Sequence, residues 1–171
     1  LNYIVKKYFL EHKFNKLDEY CNNREEIIKE DRKKLKNIII CAMNSKHYIK
    51  TDNTFIKELD IEFKTIQKLF FESNNEEFNK LCTKTGLNKN NKEGSYLNKI
   101  LCIYENKILM ECVELIGSDN IGALIFDGFL VDKEKDKDEI LNILNNYCNE
   151  KYNHLFLIVL LYVLLNRMQY Y

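Results

Sequence analysis

The chain contains no proline and only five glycines among its 171 residues. These two residue types are among those that favour tight turns, so an all-β sandwich with its many turns is disfavoured and long helices are favoured. Long hydrophobic runs are also missing, because the longest, Leu155–Leu165, has eleven residues and a membrane-spanning helix needs about 20. We therefore expect this tail to form a buried strand or helix rather than a membrane anchor or a frayed end.

Cysteine occurs six times, but without the spacing of a metal site or of a disulfide framework. No Cys-x-x-Cys pair is present, so a zinc site is not indicated. The six are predicted to be small buried hydrophobic residues in a reducing, intracellular compartment. No charged-then-apolar signal peptide opens the chain, and Leu1 in place of Met indicates a start inside a longer reading frame. The cysteines are Cys21, Cys41, Cys82, Cys102, Cys112 and Cys148.

Charge is balanced over the whole chain but not along it. The 26 basic and 26 acidic residues cancel, whereas residues 1–50 carry +5 (12 basic, 7 acidic) and residues 118–150 carry −5 (3 basic, 8 acidic). This distribution suits a protein that holds phosphates with one surface and a metal with another, although solvated helix faces give the same pattern. With 46% hydrophobic and 30% charged residues, the composition is typical of one soluble globular domain.

Helical periodicity dominates the sequence. Apolar residues recur every three or four positions in several segments, which predicts amphipathic helices. Two short apolar runs, Ile121–Phe126 and Phe129–Val131, are joined at Asp127-Gly128 and predict a β-hairpin. Residues 1–171 are thus predicted to form a single domain, a mostly helical α+β fold whose hairpin packs on a long central helix. The predicted helices are Leu17–Lys29, Asp31–Met43 with Asp31 as its N-cap, Asn53–Glu72, Ser95–Ile116 (the central helix, after a loop over Gly86–Gly94) and Asp136–Tyr152.

Asp127 is the first residue that could carry chemistry. It lies between apolar runs at the tip of the predicted hairpin, where a carboxylate is unfavourable unless it is solvated or paired with a cation. A metal-binding role is one interpretation. The other is a plain type I′ turn, in which Asp-Gly supplies the positive φ angles and nothing else.

A basic helix face is the second such feature. Arg32, Lys36, Ile40 and Asn44 follow one another at a spacing of four in the predicted helix, so their side chains lie along one side. Two cations on successive turns can hold phosphate groups. A solvated helix edge produces the same spacing in any lysine-rich amphipathic helix.

Taken together, these features resemble family A DNA polymerases, and most of all the divergent polymerase-like proteins of large DNA viruses and mobile elements. In that family a fingers helix with basic residues at a spacing of four precedes a long palm helix and a hairpin with a catalytic aspartate. The resemblance covers about residues 17–150. The segments that carry it are Tyr20–Glu25, Met43–Ser45, Gly94-Ser95, Glu105–Leu109 and Phe126–Gly128.

The resemblance implies a role for each matching residue. Asp127 corresponds to the catalytic carboxylate that binds Mg²⁺. Arg32, Lys36 and Asn44 correspond to groups that bind the nucleoside triphosphate. The positions matching nucleic-acid-binding residues are Arg24, Glu105 and Asn106. The implied segments are fingers-like helices over 1–50, a helical insertion and loop over 51–92, a palm-like helix, hairpin and helix over 93–152, and the apolar tail over 153–171.

The sequence also departs from the family. Ile40 stands where the base-stacking aromatic residue is expected, Asn44-Ser45 replaces Tyr-Gly, and Asp127-Gly128 replaces an Asp-Glu pair. A second catalytic aspartate, on a strand before the fingers helix, has no counterpart here, and two-metal phosphoryl transfer needs it. The chain is therefore predicted to lack one half of the palm.

Two functions from different classes follow. The first is a fragment of a template-directed nucleotidyltransferase, inactive alone, whose intact form uses primed template, nucleoside triphosphate and Mg²⁺ in a host cytoplasm or nucleus or in a virus factory. The alternative is a non-catalytic helical module that binds nucleic acid or protein, with steep salt dependence and no metal requirement. A purely structural helical domain would respond to neither nucleotide nor divalent ion.

Overall fold

The computed structural model describes residues 1–27, 32–73, 75–125, 128–131 and 136–152. In these ranges the chain is mostly helical, and its β-structure is one antiparallel pair of strands, so the predicted α+β class is confirmed. The elements in chain order are α1 Asn2–Tyr8, α2 Asn15–Asn22, α3 Arg24–Ile27, α4 Arg32–Asn44, α5 Thr54–Glu72, α6 Glu76–Leu81, α7 Lys92–Ile116, a 3₁₀ turn Ser118–Asn120, β1 Ile121–Ile125, β2 Gly128–Val131 and α8 Lys137–Tyr152.

The chain divides into two compact units. The first comprises Leu1–Ile103 and the second begins at Tyr104, so α7 contains the boundary. Each unit has its own buried residues and is described by itself. The prediction that residues 1–171 form a single domain stays a prediction.

Helix α5 forms the centre of the first unit. Asn53 caps it, since its side-chain oxygen accepts a hydrogen bond from the backbone N–H of Ile56 at 3.1 Å. Seven of its side chains are buried, and they recur every three or four residues, as the interior face of a helix requires. They are Ile56, Leu59, Asp60, Phe63, Ile66, Gln67 and Phe70.

Helix α5 also fixes the start of α2. The carboxylate of Glu62 accepts hydrogen bonds from the backbone N–H groups of Lys16 (3.0 Å) and Leu17 (2.8 Å). These are two of the amides that a helix leaves unpaired at its beginning, and a negative charge there also interacts favourably with the helix dipole. The buried Leu17 is thereby held against α5.

Aromatic side chains join α1, α5 and α6. Phe70 of α5 packs edge-on against Phe9 at 4.9 Å between ring centroids and stacks on Phe78 of α6 at 5.2 Å. Tyr8 of α1 meets Phe78 edge-on at 4.5 Å. Such pairs contribute about 0.5–1.5 kcal/mol each beyond the burial of their surface. The two short helices are thus held by tertiary packing.

The second unit contains the hairpin. Strands β1 and β2 pair antiparallel with Ile125 opposite Gly128, and the register shifts between Ile121 and Ala123. The buried side chains of this unit come from the described parts of α7, β2 and α8, in accordance with the apolar patterns of those segments. They are Tyr104, Ile108, Cys112, Val113, Phe129, Leu130, Ile140, Leu144, Cys148 and Tyr152.

Glu111 links α7 to α8 in the second unit. Its carboxylate accepts hydrogen bonds from the hydroxyls of Tyr147 (3.2 Å) and Tyr152, and it pairs with the ammonium of Lys151 at 3.0 Å. Partial burial raises the pKa of Glu111, but the bonds from Tyr152 and Lys151 outweigh it, and the pKa is lowered overall. The carboxylate therefore stabilises the folded unit in its charged form.

Several boundaries differ from the sequence predictions. The helix predicted over Leu17–Lys29 is interrupted at Asn23, between α2 and α3, and α7 begins at Lys92 rather than Ser95. Helices α1 and α6 were not predicted, because seven and six residues are too few to show a helical period. Strand β2 begins at Gly128 rather than Phe129, and the predicted end of the first strand, Phe126, lies outside the described residues. The predicted cap Asp31 lies outside the described residues.

The cysteine prediction is correct for some positions and wrong for others. Cys82, Cys112 and Cys148 are buried, whereas Cys41 and Cys102 are exposed. Burial raises the pKa of the Cys112 thiol to about 12. The exposed pair lie on the solvent sides of amphipathic helices, where the apolar pattern does not require burial.

Candidate nucleic-acid interface

Helix α4 has a buried side and an exposed side. Ile39 and Ala42 are buried, and Lys36, Ile40 and Asn44 are exposed. Because positions four apart are offset by only about 40° around a helix, these three exposed residues follow one another along one side. Ile40 keeps 43% of its surface accessible, so the position that would carry the stacking aromatic in the resembled family faces solvent.

The beginning of α4 is strongly basic. Arg32, Lys33, Lys34 and Lys36 are all exposed, and α4 contains no acidic residue. The guanidinium of Arg32 pairs with the carboxylate of Glu25 at 3.2 Å, with about two thirds of both side chains exposed. Exposed pairs of this kind contribute little and exchange readily for other anions. The helix therefore offers cations to a phosphate-bearing ligand.

Side chains of α5 hold the end of α4. The ammonium of Lys64 donates a hydrogen bond to the carbonyl of Ala42 at 2.7 Å. The amide of Gln67 donates to the carbonyls of Met43 (2.7 Å) and Ser45 (3.2 Å). The last carbonyls of a helix have no partner within the helix, so these donors satisfy groups that would otherwise need water.

Asp60 completes this network. Its carboxylate lies 2.8 Å from the ammonium of Lys64, and it accepts a hydrogen bond from the backbone N–H of Ile49 at 2.7 Å. Asp60 is 1% exposed, so the pair is shielded from water and breaking it is expensive. The chain is thus fixed both at the end of α4 and five residues beyond it.

Asn91 ties α4 to α7 within the first unit. Its Nδ2 donates to the carbonyl of Asn44 at 2.7 Å, and its Oδ1 accepts from the backbone N–H of Gly94 at 3.1 Å, which caps α7. A Cβ atom at Gly94 would lie 2.6 Å from Nδ2 of Asn91. The glycine of the Gly94-Ser95 motif is therefore needed because the Asn91 side chain folds over it.

The residues predicted to bind nucleotide share one helix. Arg32, Lys36 and Asn44 lie on α4, although the Asn44 amide donates to the carbonyl of Ile40 in its own helix at 2.9 Å. Arg24, predicted to contact nucleic acid, is exposed on α3. It precedes Glu25, the partner of Arg32. The first unit thus brings four of the predicted residues into neighbouring elements.

The other predicted residues do not join this group. Glu105 and Asn106 are exposed on α7 and belong to the second unit. Asp127, the predicted catalytic and metal-binding residue, lies outside the described residues. Among the residues that are described, no three His, Cys, Asp or Glu side chains come together as a metal-binding group. The Mg²⁺ site implied by the resemblance therefore stays a prediction.

The anchoring residues Asp60, Lys64, Gln67 and Asn91 were not predicted from the sequence. One signal for them was present, since Asp60 and Gln67 interrupt the apolar stripe of α5 at the same spacing as its hydrophobic members. A polar residue at an interior position must find a buried partner. Their partners, at the end of α4, are more than ten residues away and cannot be read from periodicity.

The chain matches no known family model, no curated protein and no solved structure. The polymerase resemblance thus depends on the short motifs quoted above. In the ranges that the structure covers, none of the helices combines the length and the apolar character needed to cross a membrane. The apolar tail Leu155–Leu165 lies outside those ranges.

Proposed function

We propose that the chain binds the phosphate groups of nucleic acid through helix α4. The observation that carries the proposal is the helix itself, whose four exposed cations stand without an acidic residue among them. Lys33 and Lys36 make no ion pair with another described residue, so their charges are available. The end of α4 is anchored by α5, and cations on an anchored helix lose less conformational entropy on binding than cations on an unanchored segment.

Phosphate binding of this kind has a characteristic salt dependence. Each phosphate neutralised releases condensed counterions, so the logarithm of the binding constant falls linearly with the logarithm of the salt concentration, by about 0.9 per contact on duplex DNA. Three or four contacts from α4 predict a slope of about −3. This is the property that separates the proposal from a purely structural role for the helix.

The test is fluorescence anisotropy with labelled oligonucleotides at several salt concentrations. Lys33→Ala and Lys36→Ala should each weaken binding and make the slope shallower by about 1. Lys57→Ala removes an exposed cation from α5 and serves as the matched control, with no change expected. Glu25→Gln should strengthen binding, because it releases Arg32 from its ion pair.

The reverse pattern would overturn the proposal. If the chain binds no oligonucleotide at low salt, or if Lys57→Ala weakens binding as much as Lys36→Ala, α4 is a solvated helix edge. A slope that stays unchanged in Lys33→Ala and Lys36→Ala has the same meaning.

A second, narrower candidate is that the chain is part of a polymerase-like nucleotidyltransferase. What supports it is the order of elements, a basic helix, a long helix and a hairpin, with the paired residues Ile125 and Gly128 on either side of Asp127 in the sequence. In that case α4 would hold the triphosphate. Asp127 would supply one oxygen ligand for Mg²⁺, the ion's usual type of ligand in proteins.

Nucleotide binding by the chain itself tests this candidate. Titration calorimetry with a nucleoside triphosphate should show binding that Mg²⁺ strengthens, that Arg32→Ala weakens, and that loses its Mg²⁺ dependence in Asp127→Asn. Asn is the matched replacement, because Asn-Gly and Asp-Gly favour the same turn types. Binding that is independent of Mg²⁺ in the unaltered chain would refute the candidate and leave nucleic-acid binding in place.

A further inference from the structure

The segment after α4 exposes an aromatic ring. Tyr48 keeps 64% of its surface accessible, whereas most of the large apolar and aromatic side chains of the first unit are buried or half-buried. No hydrogen bond or ring contact joins Tyr48 to another described residue. With about two thirds of its surface in solvent, the ring adds little to the core.

The backbone around this ring is fixed. The hydroxyl of Ser45 donates to the carbonyl of His47 at 2.9 Å and accepts from its N–H at 3.2 Å. Gln67 and Asp60, both 1% exposed, bind the backbone of Ser45 and Ile49 on the two sides of the ring. Tyr48 is thus an exposed side chain on a segment anchored by buried groups.

The charge around the ring favours an anionic ligand. Lys46 and Lys50, two residues before and after Tyr48, are both exposed. The segment follows directly on α4, whose exposed cations begin at Arg32. No basic residue lies between Lys36 and Lys46, so the cations form two groups, one at the beginning of α4 and one on either side of Tyr48. Cations that bind the backbone and an aromatic ring that stacks on a base are the usual combination for single-stranded nucleic acid.

We propose that Tyr48 is a stacking platform for a base of single-stranded DNA or RNA whose phosphates are bound by α4, Lys46 and Lys50. The inference rests on the proposed function, and it names the ligand as single-stranded. The bases of a duplex are already stacked on each other and cannot receive the ring. Unpaired bases in DNA and RNA have the same stacking faces.

Affinity measurements on three ligands test the preference. With (dT)₁₂ and (rU)₁₂, Tyr48→Ala should weaken binding roughly 5- to 150-fold, as alanine substitution of a stacking aromatic residue does elsewhere, and Tyr48→Phe should bind like the unaltered chain. With a 12-base-pair duplex neither variant should change the affinity. The matched control is Leu10→Ala, which removes another exposed large side chain (80% accessible).

Tryptophan fluorescence tests directly whether residue 48 stacks on a base. The chain contains no tryptophan, so Tyr48→Trp introduces a single reporter at the proposed site. Stacking should quench its emission when (dT)₁₂ or (rU)₁₂ is added, whereas Leu10→Trp should keep its emission. A duplex at saturating concentration should leave both unquenched.

The outcomes separate the two proposals. If the unaltered chain binds oligonucleotides with the predicted salt dependence but Tyr48→Ala binds single strands equally well and Tyr48→Trp is not quenched, the stacking inference is wrong and the phosphate-binding function stands. Equal weakening on duplex and single strands would also refute stacking, because the ring would then act on backbone binding. If no oligonucleotide binds, both proposals fall. Selective loss on single strands with quenching supports both.

Discussion

The effect of Gly94→Ala on the free energy of unfolding should change sign when Asn91 is replaced. In an ordinary helix, Gly→Ala stabilises by about 0.5–1 kcal/mol, because glycine loses more backbone entropy on folding. Here the new Cβ would meet Nδ2 of Asn91 at 2.6 Å and Oδ1 at 2.9 Å, distances that real Cβ contacts do not show. The Asn91 amide cannot move aside freely, because it is hydrogen-bonded at both ends.

The expected destabilisation follows from the two hydrogen bonds of Asn91 that the new Cβ atom would break. A lost N-cap costs about 0.5–2 kcal/mol, and the bond to the Asn44 carbonyl is worth about 0.5–1.5 kcal/mol. With the helix-propensity gain subtracted, Gly94→Ala should destabilise the chain by about 1–2 kcal/mol. Asn91→Ala should cost about 1–3 kcal/mol by itself. In the Asn91→Ala background the obstruction is gone, so Gly94→Ala should stabilise by about 0.5–1 kcal/mol.

Urea unfolding followed by far-ultraviolet circular dichroism measures all four members of this cycle. Gly86→Ala is the matched control, since a Cβ there meets nothing within 4 Å while φ is +66°. Its cost is backbone strain alone and should be the same in both backgrounds. If Gly94→Ala stabilises the unaltered chain, or remains destabilising after Asn91→Ala, the contact between these side chains is not what requires the glycine.

Three further substitutions or treatments have definite outcomes. The pKa of Glu111 is lowered on folding, so its contribution to stability is present above about pH 4.5 and is lost as the pH falls through the folded pKa. Glu111→Gln should therefore flatten the fall in unfolding free energy between pH 5 and 2. Asp60→Ala should cost about 3–5 kcal/mol in urea unfolding, because it strands a buried ammonium, and adding Lys64→Met should restore much of this. Iodoacetamide should alkylate Cys41 and spare Cys112, as peptide mass spectrometry would show; the opposite order would contradict their burial.

The fold class was predictable because the buried faces of the longer helices appear in the sequence as a helical period of apolar residues. Helix α5 and the main part of α7 show apolar residues at every third or fourth position over five turns or more, and the predicted bounds agree within three residues. Helices α1 and α6 were not predictable, because they are held by contacts such as those of Phe78 with Phe70 and Tyr8. Those contacts join residues far apart in sequence, and no local pattern carries them.

The candidate site was predictable only where it lies on helix α4. The spacing of four from Arg32 to Asn44 identified the basic side of α4, because a single helix places those residues together without help from the rest of the fold. Tyr48 lies outside any helix, and its significance depends on its exposure and on the buried groups that anchor its neighbours. Neither property has a signature in a single sequence.

The buried polar network itself bears on function. An ion pair such as Asp60–Lys64 can be replaced by apolar residues of similar volume with little loss of stability, and sometimes with a gain, so stability does not explain its presence inside α5. Apolar contacts are non-directional, whereas the hydrogen bonds of Lys64, Gln67 and Asp60 orient four backbone groups between Ala42 and Ile49. We infer that these bonds set the position of the end of α4 and of the segment carrying Tyr48. A surface that must match the spacing of phosphates and bases needs its backbone held in one position. A surface that only needs to be soluble does not.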